Sequence, residues 1–272
     1  MSKILVTGAT GNVGSHVVSQ LAGAGLEVRA FARRPERVRA DVEVVQGDLY
    51  EPETLEPALK DVESVFLLWP GFTTGNAAEV VAAVARHARR VVYLSALGGD
   101  GAPSHYAEIE ELIRRSGLGW TFLRPGGFAA NTLGWAGQVR QGVVRWPYGE
   151  ASRALIHERD IASVTVHVLT SAGHNGAAYA LTGPEELTQA EQARVIGEAI
   201  GRVVRWEEQP VEEARERLLA AWGEPAFVES ALRTWESFVT RPERVTGTVE
   251  RLLGRPALTF RQWAEDHAAD FA

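Results

Sequence analysis

Ile4-Leu5-Val6-Thr7-Gly8-Ala9-Thr10-Gly11-Asn12-Val13-Gly14 is the stretch on which the reading of this chain turns. The apolar run at 4–6 reads as a short buried strand, and the amphipathic stretch from Val13 to Leu21 reads as a helix. Between them Gly8, Gly11 and Gly14 are spaced G-x-x-G-x-x-G. A strand before such glycines and a helix after them is the setting in which they act on a ligand. Small residues let the backbone turn sharply and approach a diphosphate closely. The first N–H groups of the helix lack internal partners and carry the positive end of its dipole. Thr10 and Asn12 add polar groups able to reach phosphate oxygens. The stretch therefore reads as a dinucleotide-binding βαβ unit, against the alternative of a glycine turn that holds nothing.

The next strand selects the dinucleotide. Gly25 ends the helix, and Leu26 to Ala32 reads as the second strand. A dinucleotide without a 2′-phosphate is usually read at the end of this strand by Asp or Glu. Here the strand runs into Arg33-Arg34 and offers no carboxylate. A guanidinium suits a phosphate dianion through paired hydrogen bonds. The expectation is NADP(H), with Arg33 on the 2′-phosphate and Arg34 helping or stacking on adenine. The alternative is a solvated charge pair. After the third strand, Val42 to Gln46, comes Gly47-Asp48-Leu49. Asp48 is placed to accept from the adenine amino group and Leu49 to pack its face, unless Asp48 is only a turn former or cap. Leu68 and Trp69 end the fourth strand, where ribose and pyrophosphate belong.

Farther out, strands are expected at Val62 to Leu68, Val91 to Ser95 and Trp120 to Leu123. Helices are expected at about Pro52 to Leu59, Ala77 to Ala88 and Tyr106 to Arg115. This alternation predicts an α/β fold, a doubly wound parallel sheet covered on both faces. After Arg124-Pro125-Gly126-Gly127 the pattern turns irregular and rich in tryptophan. A helix at Ile161 to Leu169, begun by Asp160 as its cap, and a strand at Tyr179 to Thr182 return to the sheet. Thr188 with Glu191, and Thr259 with Gln262, have capping-box spacing. The nucleotide domain is thus expected over 1–125 and about 155–182. A smaller, mainly helical C-terminal lobe is expected over about 126–154 and 183–272.

The 272 residues contain no cysteine, which excludes disulfides and zinc–sulfur sites, and no metal site is expected. The formal charge is −7 and no dense basic run occurs, so no nucleic-acid partner is expected. The N-terminal stretch lacks the pattern of a signal peptide, and no run of eighteen apolar residues occurs. A cytoplasmic protein, monomer or homodimer, is expected.

With these landmarks the sequence resembles the NmrA-like group of atypical short-chain dehydrogenases/reductases. The matching segments are ILVTGATGNVG near 4, VRAFARRPE near 28, VEVVQGDL near 42, VVYLSALG near 91 and LGWTFLRPGGFAAN near 118. IHERDIASV near 156 and LTFRQWAEDHA near 258 extend the match to nearly the whole chain. The resemblance implies a Rossmann domain that binds NADP(H) and a smaller lobe on the substrate side. It implies cofactor contacts from Gly8, Thr10, Gly11, Asn12, Val13, Arg33, Asp48 and Leu68. It places Ser95, and Pro125 to Phe128 with Gly127 among them, against the nicotinamide. The group includes NADPH-dependent quinone reductases and proteins that sense the dinucleotide without a demonstrated reaction.

Ordinary members of the wider family protonate a carbonyl with Tyr-x-x-x-Lys. Four residues beyond Tyr50, Tyr93, Tyr106, Tyr148 and Tyr179 stand Thr54, Leu97, Glu110, Ser152 and Gly183. The only lysines are Lys3 and Lys60. Alignment through Glu110-Glu111-Leu112 puts Tyr106 at the family's lysine and Ala102 at its tyrosine. A missing general acid forfeits about 10²- to 10⁴-fold in rate, which disfavours a simple ketone substrate. A quinone accepts hydride readily and its reduced form is a weak base. The expected activity is therefore reduction of a quinone or similar flat activated acceptor by NADPH. A non-enzymatic NADP(H) sensor is the alternative. Ser95, His105 and Tyr106 are the candidate catalytic or polar contacts, each with a plain structural reading beside it. Trp69, Phe72, Phe128 and Trp135 are candidate lining residues that also read as packing.

Overall fold

The computed structural model describes residues 3–98 and 104–272. The chain resolves into two compact units, one of residues 1–125, 158–181 and 248–255, the other of 126–157, 182–247 and 256–272.

The first unit is built on seven parallel strands. They are β1 (Lys3–Thr7), β2 (Val28–Ala32), β3 (Glu43–Gln46), β4 (Val62–Leu68), β5 (Arg90–Leu94), β6 (Gly119–Pro125) and the strand Ala177–Leu181. Their spatial order is β3-β2-β1-β4-β5-β6 and then Ala177–Leu181. Val6 lies opposite Ala30 on one side and Phe66 on the other. The order reverses between β1 and β4, and ligands of such sheets bind outside the strands' carboxyl ends at that reversal. Thr7 ties the two strands together there. The Leu68 N–H donates to Thr7 Oγ1 at 2.8 Å, and that hydroxyl donates to the Phe66 carbonyl at 3.2 Å.

Helices α1 (Asn12–Gly23), α2 (Ala77–His87) and α3 (His105–Arg115) cover the sheet. Each buries one apolar stripe: Val13, Val17, Val18 and Leu21 from α1, Val80, Val81 and Val84 from α2, and Ile109 and Ile113 from α3. The α1 helix packs beside Glu158–Thr170, where the Ser163 hydroxyl donates to Gln20 Oε1 at 3.1 Å. Asp160 lies inside the first turn of Glu158–Thr170 rather than capping it, and pairs with Arg255 at 2.8 Å. The short helix Thr248–Leu253 packs on Glu158–Thr170. The sequence alone places that segment in the other lobe, whereas it belongs to the first unit.

The expected helix over Pro52 to Leu59 is instead two 3₁₀ turns, Pro52–Thr54 and Glu56–Leu59. Pro57 is the reason. It has no N–H to donate to the carbonyl of Glu53, and its ring crowds that carbonyl. The second turn is clamped from the sheet by Arg29, which donates to the carbonyls of Ala58 and Lys60, both at 2.7 Å.

The second unit carries a core of Trp135, Val139, Val144, Ile196, Phe260, Trp263 and Phe271. Two strand pairs stiffen it: Val143–Trp146 with Arg205–Glu208 in parallel, and Ser152–Arg153 with Leu187–Thr188 antiparallel. Both capping boxes, at Thr188 and Thr259, are formed. The helices Val211–Trp222 and Pro225–Thr240 meet through Ala214, Leu218, Val228 and Leu232.

Candidate cofactor and active site

The glycine loop leaves β1 with Gly8 in the left-handed region, at φ +62°. A side chain there is strained, so glycine is what the turn demands. Gly14 meets a harder limit. A Cβ on it would stand 2.1 Å from the carbonyl oxygen of Gly8, so only glycine lets α1 start this close to the loop. Gly11 is the N-cap of α1 and supplies no side chain to its free N–H groups, and the first turn holds no acidic residue. The helix therefore starts as an uncapped, positively polarised end at the carboxyl edge of β1. That cradle fits a pyrophosphate. Leu68 packs over Gly8 from the end of β4.

Arg33 and Arg34 stand exposed just past β2. The Arg33 side chain is 71% exposed, and its nearest ion partner is Asp48 Oδ2 at 3.9 Å. The other Asp48 oxygen accepts the Tyr50 N–H at 3.1 Å, which closes a local turn. Residues from β1, β2 and the loop after β3 thus gather at one sheet end, as the sequence reading expects. Two partners of that reading are largely buried. Leu49 and Trp69 are buried in the core of the first unit, against Leu55 and Leu59 among others. The Trp69 indole N–H is also spent on the Thr73 carbonyl at 2.8 Å. Their side chains pack the loops at this sheet end against the core. Phe72 is 56% exposed, whereas Trp135 is buried against Trp146 and Trp206 in the second unit.

At the carboxyl ends of β5 and β6 the chemistry is made by side chains. Ser95 is buried and donates its hydroxyl to Glu110 Oε1 at 2.7 Å. Arg124, in β6, donates from Nε to the same oxygen at 2.8 Å and from Nη2 to Glu110 Oε2. Arg114 reaches Oε2 at 2.9 Å. Burial alone would raise the Glu110 pKa. The hydrogen bonds from Arg124 and Ser95, with the charges of Arg124 and Arg114, outweigh it and hold the carboxyl below its ordinary range. Glu110 is the residue the sequence reading missed. Its signal was a carboxylate at a buried position of an amphipathic helix, beside Ile109 and Ile113.

His105 and Tyr106 open α3, after its Ser104 cap, with their rings 4.0 Å apart. Burial lowers the His105 pKa against the pull of Glu108, so the imidazole is uncharged at neutral pH. Its Nε2 is buried with no partner among the described residues, as is the Tyr93 hydroxyl. Burial raises the pKa of Tyr106, and that of Tyr93 far more. Both phenols keep their protons. Ala102, at the family's tyrosine position, lies outside the described residues. Pro125 ends β6, while Gly127 and Phe128 belong to the second unit, where the Ile156 N–H donates to the Gly127 carbonyl at 2.8 Å.

The first unit also has a groove of about 560 Å³ between α2 and α3, lined by Thr74, Ala78, Ala107 and Leu112. None of its lining residues comes from the glycine loop. Among the described residues no helix is long and apolar enough to cross a membrane.

A family model described as NAD(P)H-binding matches residues 8–172. A (4-alkanoyl-5-oxo-2,5-dihydrofuran-3-yl)methyl phosphate reductase of Streptomyces griseus subsp. griseus is 43% identical, over 99% of each chain. An NAD(P)H azoreductase of Xenophilus azovorans is 35% identical, over 98% of this chain and 99% of its own. In fold, the chain superposes on an NADPH-dependent quinone oxidoreductase of Escherichia coli, solved with NADPH. The TM-score is 0.81 at 23% identity, over 97% and 99% of the two chains. The chain belongs to the NAD(P)H-binding family of oxidoreductases, in line with its NmrA-like resemblance.

Proposed function

We propose that this NAD(P)H-dependent oxidoreductase uses NADPH to reduce a quinone or a similar flat, activated acceptor, without a Tyr–Lys acid. When bound, NADPH supplies the hydride. The chain's part is to hold the pyrophosphate on the first turn of α1 and the 2′-phosphate on Arg33, with Arg34 beside it. Thr10 lies in the loop, Asn12 and Val13 in the first turn of α1, and Leu68 walls the loop.

The observation that carries the acceptor class is the state of the proton donors. The Ser95 proton is spent on Glu110. His105 is held uncharged, and the Tyr106 phenol is made a weaker acid by burial. No lysine follows Lys60. Such a site suits an acceptor whose reduced form needs little help with its proton. Relatives named for an oxo-dihydrofuran phosphate and for azo reduction support a conjugated, activated acceptor. Different acceptors are compatible with a site that presents hydride and makes few demands on protonation.

The test is a panel of quinones, azo dyes, conjugated enones and simple ketones, each assayed for loss of reduced-nicotinamide absorbance. Turnover of quinones or other conjugated acceptors with ketones left unreduced is expected. NADPH bound and never consumed across the panel would replace the enzyme with a sensor. Ketone reduction at comparable rates would show that a competent acid exists.

A further inference from the structure

The network around Glu110 fixes more than the fold. An ionised carboxylate only accepts hydrogen bonds, and here each oxygen already takes two donors. Oε1 accepts from Ser95 and Arg124, and Oε2 from Arg124 and Arg114. A serine hydroxyl has a single proton to give. With its O–H donated to Glu110, Ser95 can show a ligand nothing but lone pairs. The residue is held there on three sides. Its N–H donates to the Leu123 carbonyl at 2.8 Å, its hydroxyl goes to α3, and Arg124 from β6 anchors the carboxylate that receives it. Ser95 follows directly on β5, at the carboxyl edge where ligands of this sheet bind.

We propose that Glu110 is a positioning residue acting through Ser95: it accepts the hydrogen bond of the serine hydroxyl, so that Ser95 meets the nicotinamide as a hydrogen-bond acceptor for the carboxamide N–H. This rests on the NADPH reading above. From sequence, Ser95 is a candidate contact either to the carboxamide or to a substrate oxygen, and the network favours the first. An acceptor's carbonyl oxygen, or the oxyanion that hydride transfer leaves on it, has only lone pairs to offer and finds no partner in Ser95. The carboxamide has N–H groups and does. Holding it by that group restricts rotation of the ring. Without Glu110 the Ser95 hydroxyl would be free to turn and serve either partner.

The test compares the affinities of NADP⁺ and its acetylpyridine analogue, in which an acetyl group replaces the carboxamide and no N–H remains. Calorimetry on the wild type is expected to favour NADP⁺ about five- to tenfold, the worth of one hydrogen bond. Ser95→Ala and Glu110→Gln are each expected to bring the ratio near one, and Ser95→Thr, which keeps a hydroxyl, to restore it. Adenosine 2′,5′-bisphosphate reports on the adenine half alone. It is expected to bind all four proteins alike, which separates lost positioning from lost folding. A wild-type ratio near one, or a preference that survives in Ser95→Ala, overturns the proposal. Failure of the wild type to bind both NADP⁺ and the bisphosphate overturns the cofactor reading beneath it. A merely structural network would change stability and leave the ratio alone.

Discussion

The two ends of the candidate site are made of different material. At β1, α1 and β2 the site is backbone: three glycines, an uncapped helix start and an exposed arginine whose nearest ion partner is 3.9 Å away. At β5, α3 and β6 it is a closed set of side chains in which four donors saturate one buried carboxylate. The first end is left open and polarised, as befits a surface that waits for an anion. The second is satisfied internally and presents little acidity outward. The contrast explains why binding of the dinucleotide is better specified here than acid chemistry upon it.

The comparison is most severely tested by breaking each end at its tightest point. Glu110→Ala would strand Ser95, Arg114 and Arg124 around a cavity. Loss of one partner from a buried ion pair costs about 3–5 kcal/mol, and the partial exposure of both arginines brings the expectation to about 2–4 kcal/mol by denaturant unfolding. Gly14→Ala forces a Cβ against the Gly8 carbonyl. It is expected to cost about 1–3 kcal/mol of stability, the range for overpacking, and to abolish the thermal shift given by NADPH. The first variant is expected to keep measurable affinity for adenosine 2′,5′-bisphosphate where it folds, and the second to lose it.

A pH series sharpens the same contrast. The folded Glu110 pKa lies below its ordinary 4.5. Its contribution is therefore complete above that value and is lost as pH falls through the lowered one. Stability measured on acidification should decline less steeply in Glu110→Gln than in wild type over that window. Equal slopes would show that the carboxylate is not held ionised.

The fold was legible because it rests on contiguous signals. The glycine spacing, the missing carboxylate after Ala32 and the capping boxes at Thr188 and Thr259 are all local patterns. So are the apolar strands, and Val62–Leu68 falls on its expected bounds. What escaped is non-local or overridden. Pro57 splits a stretch whose composition reads as helix. Leu49 and Trp69 sit where the chain passes a ligand site, yet the core claims their side chains. Ser95, Glu110 and Arg124 come from three elements, and no spacing in the sequence announces that they meet. Glu110 was visible as a carboxylate on the apolar stripe of α3, and as the residue standing where a lysine would complete Tyr106-x-x-x-Lys.

Smaller effects belong to the periphery of the open end. Asp48→Asn keeps an oxygen for the Tyr50 N–H and removes a charge 3.9 Å from Arg33. A change in stability below about 1 kcal/mol is expected, with NADPH binding unchanged or slightly tighter as the competing carboxylate goes. Weakening by tenfold would instead assign Asp48 a direct contact with the adenine.

The most direct measurement is a calorimetric titration of NADPH and NADH into the wild type and Arg33→Ala. The account predicts a wild-type preference for NADPH that shrinks about 10- to 100-fold in the variant, the loss of one or two charge-assisted hydrogen bonds, while NADH affinity stays the same. Equal binding of NADH and NADPH by the wild type would contradict it.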